Sequence, residues 1–209
     1  MVYILLLCIC SDYTITFWNV ESGDSSDEYV LEKIKGFDSD LIVLCECSPT
    51  LYKKIPGPKV CGITGGSDRI ACIGNIIRYA ELSYMSFKGR APLIVWPGNL
   101  KYPLCFVHLY SSKPELRVAQ TKMLAEWSKT YAKLAIIGDF NYFDRNTGYN
   151  YLSGYLKPCV PFEKTHKGGT PDMSFYKGLN LTCWAIMEPL TDGPELPDHR
   201  PIEVKIESE

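Results

Sequence analysis

The chain has 209 residues, of which 46% are hydrophobic, and this length supports one sizeable core but not two. Its formal net charge is only −2, which excludes the strong overall positive charge typical of many nucleic-acid-binding proteins, so a nucleic-acid ligand would require a local basic surface. We therefore expect a single domain over residues 1–209.

The first ten residues are almost entirely apolar, and we interpret them as a buried first strand. A secretory signal is the alternative, although the segment has no Lys or Arg and no small-residue cleavage site follows it. It is too short to span a bilayer, so we expect no membrane anchor. The nine cysteines are odd in number and lie mostly in apolar runs, which favours reduced thiols and a cytoplasmic location. We also expect a monomer.

Residues 13–20 alternate β-branched and aromatic residues, which predicts a strand with Asn19 at the end of its apolar face. That amide is either a satisfied core group or a ligand at the edge of the sheet. Ser25 and Glu28 have the spacing of a capping box, which predicts a helix that ends at Gly36. The expected buried residues of this helix are Val30, Leu31 and Ile34.

Residues 41–45 form a continuous apolar run, typical of a strand covered on both faces, and the run ends at Glu46. Glu46 is expected to form a salt bridge or to bind a metal ion, and the strand pattern does not favour one over the other. Residues 53–59 and 65–69 are predicted loops. Further strands are predicted at residues 70–77, at residues 92–96 and at residues 104–109, where His108 interrupts the last run near its end.

Ser112 and Glu115 are spaced as a capping box, and Pro114 between them suits the first turn of a helix. Apolar residues then recur every three or four positions, which predicts an amphipathic helix packed on the core. These residues are Leu116, Ala119, Met123, Trp127 and Tyr131.

Residues 134–141 contain four apolar residues followed by Gly138, Asp139, Phe140 and Asn141. The pattern predicts a buried strand whose end carries two polar side chains. Considered alone, Asp139 and Asn141 could simply cap a turn, or they could carry chemistry at the edge of the sheet.

Residues 142–167 are polar and aromatic, and we expect irregular structure with one short helix. His166 lies among glycines in this segment and is interpreted as solvated. Asp172 precedes an apolar segment, Asp198 and His199 follow a proline-rich loop, and strands are predicted at residues 181–187 and 202–206.

Polar residues lie at or beside the ends of most of these predicted strands, which indicates one site at the edge of two packed sheets. They are Asn19, Glu46, His108, Asp139, Asn141, Asp172, Asp198 and His199. The carboxylates suit Mg²⁺ (or Mn²⁺), and histidine suits proton transfer near neutral pH. Together these residue types predict metal-assisted hydrolysis of a phosphate ester by water.

The chain resembles the endonuclease/exonuclease/phosphatase superfamily, which contains deoxyribonuclease I, abasic-site endonucleases, inositol-polyphosphate phosphatases and bacterial sphingomyelinases. The matching segments occur in the family's order over nearly the whole chain. They are Phe17-Trp18-Asn19-Val20, residues 41–46, Val107-His108-Leu109, residues 137–141, Thr170-Pro171-Asp172 and Asp198-His199-Arg200-Pro201. The resemblance implies an α/β (α+β) fold, a four-layer α-β-β-α sandwich of two packed mixed sheets.

The resemblance also implies roles for the polar residues. Glu46 would be the principal metal ligand, assisted by Asn19 and Asp198. Asp139 would orient or deprotonate the attacking water, and Asn141 would hold the phosphate.

The histidines would stabilise the transition state or transfer protons, with His199 paired to Asp172 and His108 acting beside them. Members of the family differ in which group is the base, so that assignment stays open. Family members similar to deoxyribonuclease I have an acidic partner for the histidine at the position of His108, and here only Asp68 or Glu81 could serve.

The segment from Thr170 to Ile206 resembles the endonuclease domains of non-LTR retrotransposons, which implies an endonuclease that hydrolyses DNA. Tyr142, Phe143 and Tyr149 could stack on bases, and Arg69 and Arg145 are expected to contact the substrate. They belong to a set of basic residues in or near loops that could flank the site, which are Lys53, Lys54, Lys59, Arg69, Arg78, Arg145, Lys164 and Lys167. The same residues could be solvated charges and core aromatics. A phosphatase or phosphodiesterase acting on a small or lipid-linked phosphate (inositol phosphate, nucleotide or sphingomyelin type) is the alternative function.

Overall fold

The computed structural model describes residues 11–21, 26–62, 69–85, 90–142, 147–186 and 197–208. The predicted strand at residues 1–10 lies outside them. The strands are β1 (Tyr13–Asn19), β2 (Leu41–Cys47), β3 (Lys59–Cys61), β4 (Arg69–Gly74), β5 (Ile76–Glu81), β6 (Leu93–Pro97), β7 (Leu104–His108), β8 (Leu134–Asp139), β9 (Lys157–Cys159), β10 (Asp172–Lys177), β11 (Leu181–Ala185) and β12 (Ile202–Ile206). The helices are α1 (Asp27–Lys35), α2 (Pro49–Lys54), α3 (Pro114–Ser128) and α4 (Thr147–Ser153), with a short 3₁₀ helix at Ser83–Met85.

The strands form two six-stranded mixed sheets, in the orders β11-β12-β1-β2-β4-β3 and β5-β6-β7-β8-β10-β9. Inward-facing side chains of both sheets, such as Phe17 and Phe106, pack together in one central core. A second apolar cluster lies between the second sheet and α3 and α4, and a third lies between the first sheet and α1 and α2. The predicted four-layer α-β-β-α sandwich is therefore confirmed.

Two parallel strand pairs at the sheet centres determine where the polar strand ends meet. β1 runs parallel to β2, and Asn19 lies opposite Cys45, the residue before Glu46. β7 runs parallel to β8, and His108 lies opposite Asp139. Because the carboxyl ends of parallel strands lie at the same edge of a sheet, each sheet presents two polar strand ends at one edge. Antiparallel β10 begins there as well, with Asp172 opposite Asp139.

The structure differs from the sequence prediction at residues 53–59 and 70–77. The predicted loop at residues 53–59 contains the end of α2 and the start of β3. The single predicted strand at residues 70–77 is in fact β4 and the start of β5, which belong to different sheets. Gly74, with a φ of 149°, lies at the end of β4, and an apolar pattern does not report a change of sheet at such a point.

Both predicted capping boxes were wrong in detail. Helix α1 begins after Ser26, whose side chain accepts the Tyr29 N–H, whereas Ser25 lies outside the described residues. Helix α3 begins at Pro114, which suits the first turn of a helix. The N-cap is therefore Lys113, one residue after Ser112, and no side chain caps the helix.

The buried face of α3 is also not the predicted apolar one. Its buried residues are Arg117, Gln120, Thr121, Leu124, Ala125 and Ser128, whereas the predicted Met123, Trp127 and Tyr131 are only partly buried. Arg117 and Gln120 bond to the loop after β7, and Thr121 bonds to Tyr142, so helical periodicity of apolar residues could not identify this face.

Among the described residues, no helix is long and apolar enough to cross a membrane.

Gly138 in β8 is required by the close approach of β7. A Cβ atom at this position would lie 2.1 Å from the Val107 carbonyl oxygen. We expect Gly138→Ala to lower the free energy of unfolding by about 3 kcal/mol, because neither backbone can move without breaking the parallel pairing. Urea unfolding followed by fluorescence measures this. Gly36→Ala is the matched control, since its nearest new contact is 3.4 Å away. An effect of Gly138→Ala no larger than that control would contradict the packing argument.

Candidate metal and phosphate site

The predicted site residues come together where the two sheets meet at one edge. Asn19, His108, Asp139, Asn141 and Asp172 are buried there. Asp139 lies within 3.9 Å of His199 and 3.7 Å of His108, measured from Oδ2 to each Nε2. His108 Nε2 is in turn 3.3 Å from Glu46 Oε1. Residues separated by up to 153 positions in sequence, from Glu46 to His199, therefore form one connected cluster of ionisable groups.

Local backbone strain is concentrated at this edge. Among the described residues, the non-glycine residues with positive φ are Glu21 (46°), Glu46 (55°) and Asn141 (53°). Each lies within two residues of the end of a central strand. The register of β2 against β4 shifts between Leu44 and Cys47, where Glu46 is located. Positive φ is costly for residues other than glycine and tends to occur where function requires it. The strained positions therefore point independently to the same site.

Asn19 bridges the two sheets. Its Nδ2 donates to Glu46 Oε1 at 3.1 Å and to Asp139 Oδ2 at 3.1 Å. Its Oδ1 accepts the Glu21 N–H at 3.1 Å. Because Nδ2 faces two carboxylates, the amide orientation is fixed, with the nitrogen between the acids. Asn19 thus links the two carboxylates, and its predicted role as an assisting metal ligand stays a prediction.

Asp139 and Asn141 form both a turn and part of the site. The Asn141 N–H donates to Asp139 Oδ1 at 2.8 Å, as in an Asx turn. Asn141 Nδ2 donates to the Leu109 carbonyl at 3.0 Å. This leaves Asp139 Oδ2 directed toward Asn19 and the histidines. The two interpretations of this stretch are therefore compatible, because one carboxylate oxygen holds the turn and the other faces the site.

His199 and Asp172 form a short buried pair. His199 Nδ1 is 2.7 Å from Asp172 Oδ2, and its Nε2 faces Asp139 and Asp198. Burial opposes the charged ring, but the carboxylates of Asp172, Asp139 and Asp198 raise the pKa of His199 to about 10. The ring is therefore an imidazolium at neutral pH, with one N–H held by Asp172 and the other directed into the site.

The pKa of His108 is shifted in the opposite direction to that of His199. Burial lowers its pKa well below the ordinary value, and the positive charges of Arg90 and His199 act in the same direction. Burial, together with the Asp172 carboxylate, raises the pKa of Asp139 to about 6, although His199 opposes this. When the surroundings shift the pKa values of neighbouring groups in different directions, as for His199, His108 and Asp139, those groups are candidates for acid and base roles.

Arg90 is a positive charge that the sequence did not single out. Its Nη1 donates to the Leu109 carbonyl at 3.0 Å, the same oxygen that accepts from Asn141. The following Tyr110 is held by α3, since Gln120 accepts its N–H at 2.9 Å and Arg117 donates to its carbonyl at 2.9 Å. The polar buried face of α3 thus fixes the loop after β7 beside the site.

The interpretation of His166 as a solvated residue was wrong. Its Nε2 lies 2.9 Å from Asp198 Oδ2, and its side chain is largely buried. Glu21 was also missed, and its Oε2 accepts the Asp198 N–H at 3.3 Å. Burial, with repulsion from Asp198 and Glu46, raises the pKa of Glu21. One signal pointed to His166, which is one of only three histidines and lies just before the Asp172 motif.

The proposed substrate contacts have mixed outcomes. Tyr142 and Tyr149 are buried in the core beside the second sheet, so neither can stack on a base, and Phe143 lies outside the described residues. Arg69 on β4 lies opposite Cys47 on β2, the residue that follows Glu46. Its side chain interacts with the Cys61 thiol. Its substrate contact stays a prediction. Arg145 lies outside the described residues.

The donor set fits a divalent cation. Asp172 Oδ1 and Asp198 Oδ1 are buried, and neither has a hydrogen-bond partner among the described residues. Buried carboxylate oxygens normally have a hydrogen-bond donor or a cation beside them, so these two oxygens are consistent with a cation site. Glu46 and Asp198 would supply carboxylate oxygens, which suit Mg²⁺ or Mn²⁺, whereas Asn19 could add only Oδ1, which also accepts the Glu21 N–H. His108 Nδ1 also lacks a hydrogen-bond partner among the described residues, so Glu81 does not serve as its acidic partner, and Asp68, the other candidate, lies outside the described residues.

The His199–Asp172 pair predicts a pH-dependent stability. Because the folded-state pKa of His199 is raised to about 10 from 6.5, its stabilising contribution is complete below about pH 6.5 and is lost as the pH rises towards 10. Asp172→Asn should therefore destabilise the metal-free protein by about 1.5–3 kcal/mol at pH 6.5, and the difference from wild type should shrink towards pH 10. Urea unfolding in chelator across this range measures it. Asp12→Asn, which breaks the exposed pair with Lys205, should not change the slope.

Comparison with solved structures identifies the same fold. No family model matches the sequence, and no curated protein matches it. TDP2 of D. rerio, in a complex with a single-strand DNA product, superposes with a TM-score of 0.74 at 17% identity, covering 95% of this chain and 100% of that chain. A mannosyl-6-phosphatase of Bacteroides thetaiotaomicron gives 0.73 at 14% identity over 94% and 100% of the two chains. An endonuclease/exonuclease/phosphatase family protein of the same bacterium gives 0.69 at 13% identity over 94% and 97%.

Proposed function

We propose that this chain, which has the deoxyribonuclease I-like fold of the endonuclease/exonuclease/phosphatase superfamily, is a divalent-metal-dependent phosphoesterase, and that its substrate is DNA. One observation carries the proposal. Asn19 joins the Glu46 and Asp139 carboxylates across the two sheets. The ring of His199, which is paired with Asp172, faces the Asp139 carboxylate. This arrangement combines oxygen ligands, a base and an imidazolium within one cluster, as hydrolysis of a phosphate ester by water requires.

Glu46, Asn19 and Asp198 are the residues that would hold the cation. A bound divalent cation would supply positive charge to the phosphate oxygens in the transition state. Asn19 Nδ2 and His108 Nε2 both lie beside Glu46 Oε1, so this carboxylate is held in place at the site. Neutral His108 does this without adding a positive charge that would repel the cation.

Asp139 is the proposed base for the attacking water. One of its oxygens is committed to the Asn141 N–H, and the other faces the site. A pKa of about 6 keeps the carboxylate ionised at neutral pH while making it a stronger base than an ordinary aspartate. This supports proton removal from water as it attacks phosphorus.

His199 is the proposed stabiliser of the phosphate in the transition state. Its Nδ1–H is fixed by Asp172, so the charged ring presents Nε2–H to the phosphate or to the leaving oxygen. Asn141, whose Nδ2 bonds to Leu109 through one hydrogen, has a second hydrogen to donate to a phosphate oxygen.

DNA is the proposed substrate for two reasons. A structural neighbour, TDP2, binds a single-strand DNA product. The loop that carries His166 also contains Lys164 and Lys167, and its Phe162 is 99% exposed, which suits phosphate contacts and base stacking. The mannosyl-6-phosphatase with the same fold favours a second candidate function, hydrolysis of a small phosphate monoester.

A substrate panel separates the two functions. Supercoiled plasmid, a 5′-labelled single-stranded oligonucleotide, mannose 6-phosphate and an inositol phosphate are each incubated with the protein and excess Mg²⁺. We expect cleavage of plasmid or oligonucleotide and little release of inorganic phosphate from the sugars. Phosphate release without DNA cleavage would replace the nuclease proposal with the phosphatase one.

A further inference from the structure

His166 lies in the loop between β9 and β10 and is tied to the segment before β12. Its backbone forms bridges with Gly169 and with His199, and the Arg200 N–H donates to the neighbouring Thr165 carbonyl at 2.7 Å. Its ring lies 4.8 Å from that of His199 between ring centroids. His166 is therefore held in a defined place directly beside the catalytic cluster.

The loop backbone fixes the tautomer of His166. The Gly168 N–H donates to His166 Nδ1 at 2.8 Å, so Nδ1 must present its lone pair. In the neutral ring the proton then lies on Nε2. Since Nε2 is 2.9 Å from Asp198 Oδ2, His166 donates this hydrogen to the carboxylate.

This bond determines which Asp198 oxygen remains available. Oδ2 is occupied by His166, and the Asp198 N–H is held by Glu21. Oδ1 is buried, has no hydrogen-bond partner among the described residues and lies 3.6 Å from His199 Nε2. The carboxylate is thus oriented so that one unpartnered oxygen faces the site.

His166 could instead be a metal ligand, because the ligand atoms of His166, Asp198 and His199 lie within 4.8 Å of one another. Coordination through Nε2 would require its lone pair, and the proton would then move to Nδ1. That proton would face the Gly168 N–H, so two hydrogen-bond donors would oppose each other. The tautomer therefore favours hydrogen-bond donation over coordination.

We propose that His166 is a positioning residue, which holds Asp198 through Nε2–H···Oδ2 so that Oδ1 is presented to the divalent cation. The inference rests on the proposed function, because it assigns Asp198 to the cation. Hydrogen bonds of this kind fix ligand orientation, and their removal typically weakens metal affinity by about 10–100-fold.

Three variants separate hydrogen bonding from ring packing. His166→Gln keeps an N–H donor at a similar reach, His166→Phe keeps the ring next to His199 without a donor, and His166→Ala removes both. We expect the Kd for Mn²⁺, measured by calorimetry on the metal-free protein, to rise about 10–100-fold for His166→Phe and His166→Ala and to stay within about threefold of wild type for His166→Gln. Thermal unfolding checks that each variant is folded.

Wild-type affinity in His166→Phe would overturn the positioning role, as would a loss in His166→Gln equal to that in His166→Phe. A wild-type protein that binds Mn²⁺, loses it in Glu46→Gln and hydrolyses no phosphate ester would overturn the proposed function while the positioning role stood on the three variants. A wild-type protein that binds no divalent cation would overturn both.

Discussion

The variant His199→Ala is expected to lower kcat by about 10³–10⁴-fold on any phosphate ester that the protein hydrolyses. His199 is the charged group that faces Asp139 and Asp198 through Nε2, so its removal takes away both the positive charge and the donor that the phosphate would meet. Steady-state rates at saturating Mg²⁺ measure the loss.

The variant His199→Asn separates the two nitrogens of the ring. Its side-chain amide can replace Nδ1–H in the bond to Asp172, which is 2.7 Å in the wild type, but it has nothing in the position of Nε2. We expect it to be nearly as inactive as His199→Ala and more stable to urea. More than a tenth of wild-type activity in His199→Asn would contradict the role given to Nε2.

Glu46→Gln is expected to lower activity at low millimolar Mg²⁺ by about 10²–10³-fold, and part of the loss should return at higher metal concentration. The substitution keeps the shape of the side chain but removes the charge at a strained residue that contacts both Asn19 and His108. A metal titration of the initial rate measures the shift.

Glu126→Gln is the matched control for this variant. Glu126 is an exposed carboxylate on α3 that pairs with Lys129, and it lies outside the site. We expect its rate and its metal dependence to equal those of wild type. The metal-ligand role of Glu46 would be wrong if Glu46→Gln had the same metal dependence as this control.

Much of the fold and the cluster could be predicted because strand ends carry their own signal. Apolar runs that end in Glu46, His108 and Asp139 predict buried strands with polar termini. The parallel pairing of β1 with β2 and of β7 with β8 then brings those termini to one edge of each sheet. The resemblance to a known superfamily gave the order of these segments, and the structural neighbours confirm the fold.

Other parts of the site could not be predicted because they depend on contacts between distant segments. Glu21 and His166 act on Asp198, from 177 and 32 positions away in the sequence, and neither belongs to a recognised motif. Arg90 reaches the site through a carbonyl group, which no side-chain pattern reports. The polar buried face of α3 follows from the loop it holds, so helical periodicity pointed to the wrong residues.

Nicking of supercoiled plasmid in the presence and absence of a chelator is the most direct test of the proposed metal-dependent phosphodiesterase. Wild-type protein with Mg²⁺ should convert the plasmid to nicked circles, whereas excess chelator, Glu46→Gln and His199→Ala should each leave it supercoiled. Nicking that persists in chelator, or that is equally fast in the two variants, would contradict a metal-dependent phosphodiesterase site at this edge of the sandwich.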